Sequence, residues 1–459
     1  MNGIKRKEGI AVRREINMLD GPLTKNILLY ALPLALTGIL QQLFNAADVA
    51  VVGRLVGTEA MAAVGSNTAI ISLIVNLFVG ISIGTNVVLA HAIGMRSEED
   101  IHRTVHSSIL LALSCGFVMA VPGVLLAPKI LSVTGVPEEV LGMATMYLRI
   151  YMSGLPVILL YNFEASVFRA YGDTRTPLLT LVISGLINVA LNIFCVAVLG
   201  MTVDGVAIAT VVSNLVSAVI LFIRLLKSDD VIRVRWPDFH FDGRILRRIL
   251  QIGVPSGVQS AMFSLSNVVV QSAINSLGAV IMAAASAAFN VEVFAYYVMN
   301  SFTHTCTSFV GQNYGAGQLD RCRKIYFRCI LLDYLCCAVV CSLILCFGHT
   351  LLGLFNPDPE VVRYGYQRIV VIFFAYIFSI WQEVGSGYLR GFGTSTLPAV
   401  VALLGICGVR ILWISTVFPL YPSYTTILLV YPLTLGIAGI AITAAIAVKK
   451  PSRCAESRS

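Results

Sequence analysis

A row of polar side chains follows one face of the first long apolar segment. Thr37, Gln41, Asn45 and Asp48 recur at intervals of four, four and three residues. At about 100° per residue these positions fall within roughly 80° of arc, so they form one stripe on a helix. A carboxyl group among amides is suited to take up a proton or to bind a small cation. The alternative is that the stripe only supplies hydrogen bonds between neighbouring helices.

The fifth apolar segment carries a second stripe of the same kind. Thr180, Ser184, Asn188 and Asn192 follow one another at intervals of four residues. Polar groups at this depth are costly and tend to face a cavity or the bundle interior. If the two stripes converge, they form a coupling site for a proton or for Na⁺ at Asp48. The residues that we predict for this site are Asp48, Gln41, Asn45, Asn188 and Asn192.

The second half of the chain offers a different set of polar residues. Ser256, Ser260, Ser264, Asn267 and Gln271 share one face of the seventh segment, where Val270 occupies the position that matches Asp48. Glu292 lies in the middle of the eighth segment and could neutralise a cation or take a proton. The alternative is a protonated carboxyl that is hydrogen-bonded within the bundle. The residues that we predict for a substrate cleft are Glu292, Tyr296, Asn300, Asn267 and Gln271.

Each half carries one acid–arginine pair at the cytoplasmic end of its fourth span. Glu164 precedes Arg169, and Glu383 precedes Arg390. We predict local ion pairing or gating for these four residues rather than substrate binding. Asp333, His304 and Arg410 also lie within apolar segments, and the pattern assigns them no role.

The elements that must position these stripes are membrane-spanning helices. Hydrophobic residues make up 57% of the 459 residues and charged residues 12%, with a mean hydropathy of +0.84. A soluble protein this apolar could not cover its surface. The apolar runs are each long enough to cross ~30 Å of hydrocarbon as a helix. We therefore predict an all-α polytopic membrane protein with twelve transmembrane helices, at approximately 27–52, 61–90, 104–128, 139–167, 176–199, 204–226, 249–274, 279–311, 325–350, 361–389, 398–418 and 424–448.

The basic residues predict the orientation of these spans. With the N-terminus in the cytoplasm, the odd-numbered loops hold only Arg54, Lys129 and Arg363 of the 32 Lys and Arg residues. This positive-inside bias places both termini in the cytoplasm and explains the net charge of +8 without nucleic acid. No signal peptide is expected, because the first apolar segment is long and lacks a cleavage site. The predicted units are a cytoplasmic tail (1–26), an N-terminal six-helix lobe (27–226), a cytoplasmic interlobe linker (227–248), a C-terminal six-helix lobe (249–448) and a cytoplasmic tail (449–459).

The two halves repeat each other at a nearly constant offset. Leu28–Pro33 matches Leu250–Pro255, and Asn45 matches Asn267. The segment Arg169–Pro177 matches Arg390–Pro398, with Arg, Gly and Pro in register. Because each half holds six spans, the halves enter the membrane in the same direction and are pseudo-symmetric. Duplicated halves of this kind usually place the substrate site between them.

The sequence contains no recognisable catalytic or cofactor-binding motif. It lacks a Walker A sequence, G-x-S-x-G and H-E-x-x-H. The four cysteines between Cys336 and Cys346 include no C-x-x-C pair and no matched histidines, which argues against a zinc site. We therefore expect no enzyme activity, no cofactor and no resident metal, and energy for transport would come from an ion gradient.

Motifs in both halves resemble those of the multidrug and toxic compound extrusion (MATE) transporters, and the similarity covers nearly the whole chain. The first half contributes the segments Leu32–Pro33, Gln41–Asp48, Val52–Gly57 and Ala62–Gly65. The second half contributes Gly253–Gly257, Gly311–Gly317 and Leu389–Gly393.

The resemblance implies two six-helix lobes around a central cleft and antiport of protons or Na⁺ against drugs and other organic cations. It implies a bacterial inner-membrane location, and we expect a functional monomer in the lipid bilayer. Asp48 matches an acid that members carry in the first span. Members often have Asn-x-x-x-Asp in the fifth span, which here reads Asn188 to Asn192, and the acid that some hold in span seven is missing. The resemblance therefore leaves both H⁺ and Na⁺ as candidates for the coupling ion.

Three other functions are compatible with a polytopic chain. A flippase for a lipid-linked saccharide belongs to the same broad superfamily, but such proteins more often have extra spans and a basic cavity. A lipid-modifying enzyme is disfavoured because the catalytic residues are missing. A sensor or scaffold would gain little from two matched halves.

Overall fold

The computed structural model describes residues 15–228 and 230–449, and this part of the chain is almost entirely helical. The outer parts of the two predicted tails, 1–14 and 450–459, lie outside the described residues. A π-helical segment, Phe194–Val198, continues α6, and a second one, Leu403–Gly408, joins α12 to α13. The α-helices are α1 Leu23–Leu55, α2 Thr58–Gly94, α3 Glu98–Val133, α4 Glu138–Ser153, α5 Leu155–Tyr171, α6 Arg175–Ile193, α7 Val203–Leu226, α8 Gly243–Asn275, α9 Ala279–Gly315, α10 Leu319–Phe355, α11 Pro359–Gly391, α12 Thr396–Ala402, α13 Val409–Thr416 and α14 Tyr424–Lys449.

The described helices account for twelve spans. Ten are long and apolar enough to cross a membrane by length and composition. α4 and α5 form an eleventh that bends by 49° at Gly154, where Pro156 interrupts the hydrogen-bond ladder. The twelfth is α8, which is 33 residues long but rich in serine and amide side chains. The predicted all-α, twelve-helix, two-lobe fold is confirmed, while the predicted unit boundaries stay a prediction.

The repeat in the sequence corresponds to a repeat in the backbone. Gly172 follows α5 with a φ of 103°, and Gly393 follows α11 with a φ of 80°. Residues with a side chain rarely adopt this left-handed region, so both matched positions require glycine. Pro177 and Pro398 each lie in the first turn of the helix that follows. The two lobes therefore share their turn geometry as well as their helix order.

Contact between the lobes is made chiefly by α2 with α8 and α9 and by α1 with α9. Four glycines allow α2 and α8 to approach closely. A Cβ atom built on Gly80 would lie 2.3 Å from the Cα atom of Gly257, and one built on Gly84 would lie 2.2 Å from the carbonyl oxygen of Ile249. Small residues of this kind let helix backbones meet in the absence of a hydrophobic driving force.

These close contacts lie toward one end of the bundle, which we call the linker end because it holds residues 227–242. There Asp242 accepts hydrogen bonds from the backbone N–H groups of Arg244 and Ile245, so it caps α8. Asp242 also accepts from Arg103 of α3 at 3.0 Å. These donors, the N–H of Ile245 first, lower the pKa of Asp242. The cap and the ion pair fix the start of the second lobe to the first.

At the linker end, buried apolar residues of each lobe pack in the core of the other lobe. Ile249 and Ile252 of α8 pack in the core of the N-terminal lobe, and Ile27 and Tyr30 of α1 pack in the core of the C-terminal lobe. The Tyr30 hydroxyl donates to the backbone oxygen of Arg169 at 2.8 Å and contacts Ser308 of α9 at 2.9 Å. The linker end is therefore closed by interlocked side chains.

Candidate functional site: a cleft between the two lobes

One face of α8 passes from the closed linker end into open space. At 100° per residue, Gly253, Gly257, Ser264, Asn267 and Gln271 fall within roughly 80° of arc. The glycines touch α2, and Asn76 of α2 donates to the Ser264 hydroxyl at 3.1 Å. Beyond Ser264 the face is uncovered, since Asn267 and Gln271 are exposed. The lobes thus separate after Ser264 and leave a cleft at the end opposite the linker, which we call the open end.

The opposite wall of the cleft is the outer part of α1. Gly38 of α1 packs against the ring of Tyr297 of α9, since a Cβ built there would lie 2.2 Å from the ring. Further along α1, Gln41 and Asn45 are exposed. These two predicted residues line the cleft but form no hydrogen bond to Asp48 among the described residues.

The two predicted stripes converge at the carboxyl group of Asp48. Asn192 of α6 donates from Nδ2 to Oδ1 of Asp48 at 2.5 Å and to Oδ1 of Asn188 at 3.2 Å. Asn188 and Asn192 are buried, and Asp48 is half-buried. The remaining amide oxygen of Asn192 is buried with no hydrogen-bond partner among the described residues. We call Asp48, Asn188 and Asn192 the acid–amide site; it combines a carboxylate with a spare oxygen acceptor.

Glu292 does not present a free carboxylate to the cleft. Arg368 of α11 contacts it through two hydrogen bonds, Nη2 to Oε1 at 2.6 Å and Nε to Oε2 at 3.1 Å. Both residues are buried, with side chains 7% and 8% exposed for the arginine and the glutamate. A paired, doubly hydrogen-bonded carboxylate offers little net charge to a substrate. Arg368 was not among the predicted site residues, although an arginine within an apolar span is a signal for a functional or paired charge.

Arg410, to which the sequence pattern assigned no role, lies behind the exposed face of α8. Its Nη1 donates to Oδ1 of Asn267 at 3.1 Å, and its guanidinium carbon lies 4.7 Å from the ring centre of Tyr431. Arg368 approaches the same ring at 5.8 Å. Arg410 is 5% exposed and forms no ion pair among the described residues. We call Asn267 and Arg410 the arginine–amide site.

The other predicted cleft residues are spread along the walls. The ring of Tyr296 is 43% exposed, and Asn300 is half-buried one turn closer to the linker end. Gln271 donates to its neighbour Asn275 on α8 at 2.8 Å. None of the three contacts Glu292 through a hydrogen bond in the described part of the chain.

The expected local ion pairs are not formed in the described residues. Arg169 donates to the hydroxyl of Ser166 at 2.9 Å, while both carboxyl oxygens of Glu164 are buried without a hydrogen-bond partner. Arg390 donates to Oε1 of Gln259 on α8 at 3.0 Å instead of pairing with Glu383. A spacing of five residues turns Glu164 and Arg169 to different faces of the helix, and a spacing of seven places Glu383 and Arg390 about two turns apart. A gating role for these residues stays a prediction.

Two further ionisable residues lie apart from the cleft walls described above. Asp333 of α10 is buried and accepts a hydrogen bond from the Cys337 thiol at 3.2 Å. His304 of α9 is half-buried. Neither contacts the acid–amide site or the arginine–amide site.

Two helical lobes that touch at one end and leave a polar cleft at the other are typical of membrane transporters built from duplicated halves. A family model described as MatE matches residues 33–194 and 255–414, which is more than half of the chain. The chain therefore belongs to the MatE family of multidrug efflux transporters.

Known proteins resemble the chain along most of its length. The probable multidrug resistance protein YoeA of Bacillus subtilis is 29% identical over 399 residues, which are 84% of this chain and 85% of the relative. A crystal structure of MATE in complex with MaL6 matches with a TM-score of 0.88 at 21% identity, covering 95% of this chain and 99% of the other. An outward-facing multidrug resistance MATE transporter of the MOP superfamily matches with a TM-score of 0.87 at 22% identity, covering 95% and 99%.

Proposed function

We propose that this protein is a secondary antiporter that exports small organic cations or drugs in exchange for protons or Na⁺. Membership of a multidrug efflux family supports export as the general function. The observation that carries the antiport proposal is the acid–amide site, in which Asp48 lies at the wall of the cleft with a buried, unpartnered amide oxygen beside it.

In this mechanism Asp48 takes up a proton, or ligates Na⁺ with the free oxygen of Asn192, from the open end of the cleft. A bound ion can shift the balance between two lobe arrangements only by its differential affinity for them. Loading Asp48 weakens its acceptance of the hydrogen bond from Asn192 and thereby changes the packing of α1 on α6. The exposed ring of Tyr296 offers a surface to an organic cation on the opposite wall.

The available energy is sufficient for this coupling. One charge that crosses a potential of 100 mV gains about 2.3 kcal/mol, which supports roughly 50-fold accumulation per net charge moved. The proposal places the protein in the bacterial inner membrane as a functional monomer, with both termini and the linker end in the cytoplasm. The basic residues Arg244, Arg247 and Arg323 lie toward that end, as the positive-inside rule requires.

The test is dye flux in proteoliposomes of the purified protein, with a pH gradient and a Na⁺ gradient imposed separately. We expect one of the two gradients to drive movement of a cationic dye across the proteoliposome membrane. Liposomes without protein, the control, should show no such movement. Absence of flux under both gradients, with the protein folded, would contradict antiport and favour the flippase of lipid-linked saccharides.

A further inference from the structure

Equivalent pairs of helices in the two lobes carry polar sites of opposite charge. In the N-terminal lobe an amide of α6 binds a carboxylate of α1, Asn192 to Asp48. In the C-terminal lobe α8 corresponds to α1 and α13 to α6, and there the amide lies on α8 and the charged group on α13, Asn267 to Arg410. Asn267 matches Asn45 in the repeat, and it lies on the face of α8 that enters the cleft.

In the described part of the chain, no nearby acid balances the positive charge of Arg410. The buried group formed with Glu292 and Arg368 holds one carboxylate and two guanidiniums, and that carboxylate is already bound by two hydrogen bonds to Arg368. No carboxylate lies within 4.0 Å of the Arg410 guanidinium among the described residues. Its Nε–H is buried and has no hydrogen-bond partner within residues 15–228 and 230–449.

A buried guanidinium with a free donor is costly unless a ligand satisfies it. Asn267 and the ring of Tyr431 hold Arg410 in one orientation, so its planar fork is arranged before a ligand arrives. A planar anion such as a carboxylate, or a phosphate, can accept two hydrogen bonds from such a fork. The π-helical segment Leu403–Gly408 immediately precedes α13, and segments of this kind are frequent at functional sites.

We infer that the arginine–amide site binds an anionic group of the transported molecule. The substrate class is then amphoteric: an organic molecule whose cationic part faces the wall of Asp48 and whose carboxylate or phosphate meets Arg410. This inference rests on the proposed transport function and narrows its substrates from simple organic cations to molecules that also carry a negative charge.

The test uses a dye pair that differs by one negative charge. Tetramethylrhodamine carries a xanthylium cation and a free carboxylate, and its methyl ester lacks the carboxylate charge. Fluorescence anisotropy with purified protein in nanodiscs gives the ratio of the two Kd values without any gradient. We expect the wild-type protein to bind the acid about tenfold more tightly than the ester, which is the usual contribution of a hydrogen bond to a charged group.

Arg410→Gln should bring the ratio of the two Kd values close to one, and Arg410→Lys should retain part of the preference. Arg363→Gln is the matched control, because Arg363 is exposed on α11 and pairs with Glu360 outside the cleft. Its ratio should equal that of the wild type. Equal binding of the two dyes by the wild-type protein would overturn the inference, and so would a full preference for the acid in folded Arg410→Gln.

A parallel assay separates this inference from the proposed function. Flux of both dyes is measured in proteoliposomes under the gradient that drives transport. A phosphate-bearing fluorophore, tested by competition against the acid, distinguishes the two kinds of anion. If the ester and the acid are both exported but bind equally well, antiport stands and the anion site is refuted. If the acid binds preferentially but no gradient moves either dye, the site stands and antiport is refuted.

Discussion

The close packing of α2 on α8 predicts that adding even a methyl group at Gly84 will strongly destabilise the contact between the two lobes. In Gly84→Ala the added Cβ would lie 2.2 Å from the backbone oxygen of Ile249 and 2.9 Å from the backbone nitrogen of Gly253. An ordinary van der Waals contact lies at 3.4–4 Å. Because both neighbours are backbone atoms, no side chain can rotate away, and the helices must separate by about 1 Å or more.

The magnitude follows from the cost of overpacking. An extra methyl group in a filled contact costs about 1–3 kcal/mol. Since each 1.4 kcal/mol is a factor of ten in population, the arrangement closed at the linker end should lose about five- to 150-fold in relative population. In the proposed transport cycle the opposite arrangement, with the linker end open, does not require this contact and should gain in population.

Hydrogen–deuterium exchange with mass spectrometry, on protein in nanodiscs, measures this shift without introducing labels. We expect faster exchange in residues 80–94 and 249–257 of Gly84→Ala than in the wild type. Gly65→Ala is the matched control, because Gly65 lies on the same helix and a Cβ there meets nothing within 4 Å. Equal exchange in the two variants would refute the idea that the glycine contact stabilises the closed linker end.

Two further predictions concern charged groups that stabilise the fold. Glu292→Gln should lower the free energy of unfolding by about 3–5 kcal/mol, because Arg368 is left buried without its counter-charge. The double variant Glu292→Leu with Arg368→Met should recover most of this stability in thermal melts. A double variant that is no more stable than Glu292→Gln would contradict the pairing. Asp242→Ala should lower stability by about 1 kcal/mol through loss of the α8 cap. The pKa of Asp242 is lowered in the folded protein, so its contribution is present above its ordinary pKa of about 3.9 and is lost as the pH falls through the lower folded value. Melts from neutral to acidic pH should therefore show the wild type approaching Asp242→Ala at low pH, and a constant difference between them would contradict this assignment.

The number of spans could be predicted from the sequence because lipid imposes a simple rule on helices. Apolar runs of sufficient length must cross the membrane, and ten of the twelve spans meet that rule in the structure as well. α8 is the informative exception. Its polar face contacts α2 and the cleft rather than lipid. The composition of α8 therefore identifies it as a span less clearly than its sequence match to α1 does.

The acid–amide site could be predicted because helical periodicity places Asp48 and Asn192 each on a polar face. Contact between the two faces required only that α1 and α6 be neighbours. The pair Glu292–Arg368 and the pair Asn267–Arg410 could not be predicted in this way. Their partners lie 76 and 143 residues apart on helices whose relative rotation the sequence does not specify.

The local ion pairs were expected for the wrong physical reason. Proximity in sequence suggested that Glu164 would meet Arg169 and that Glu383 would meet Arg390. On a helix, however, only residues three or four apart face each other, and the arginines instead reach Ser166 and Gln259.

The proposed coupling of an ion gradient to export through Asp48 can be measured in a single comparison of variants. Dye flux under the driving gradient is compared among wild type, Asp48→Asn and Asp204→Asn in matched proteoliposomes. Asp204 is the control because it lies in the first turn of α7, where it accepts hydrogen bonds from Thr202 outside the acid–amide site. We expect Asp48→Asn to lose gradient-driven flux while Asp204→Asn retains it. Full gradient-driven export by Asp48→Asn would contradict the account.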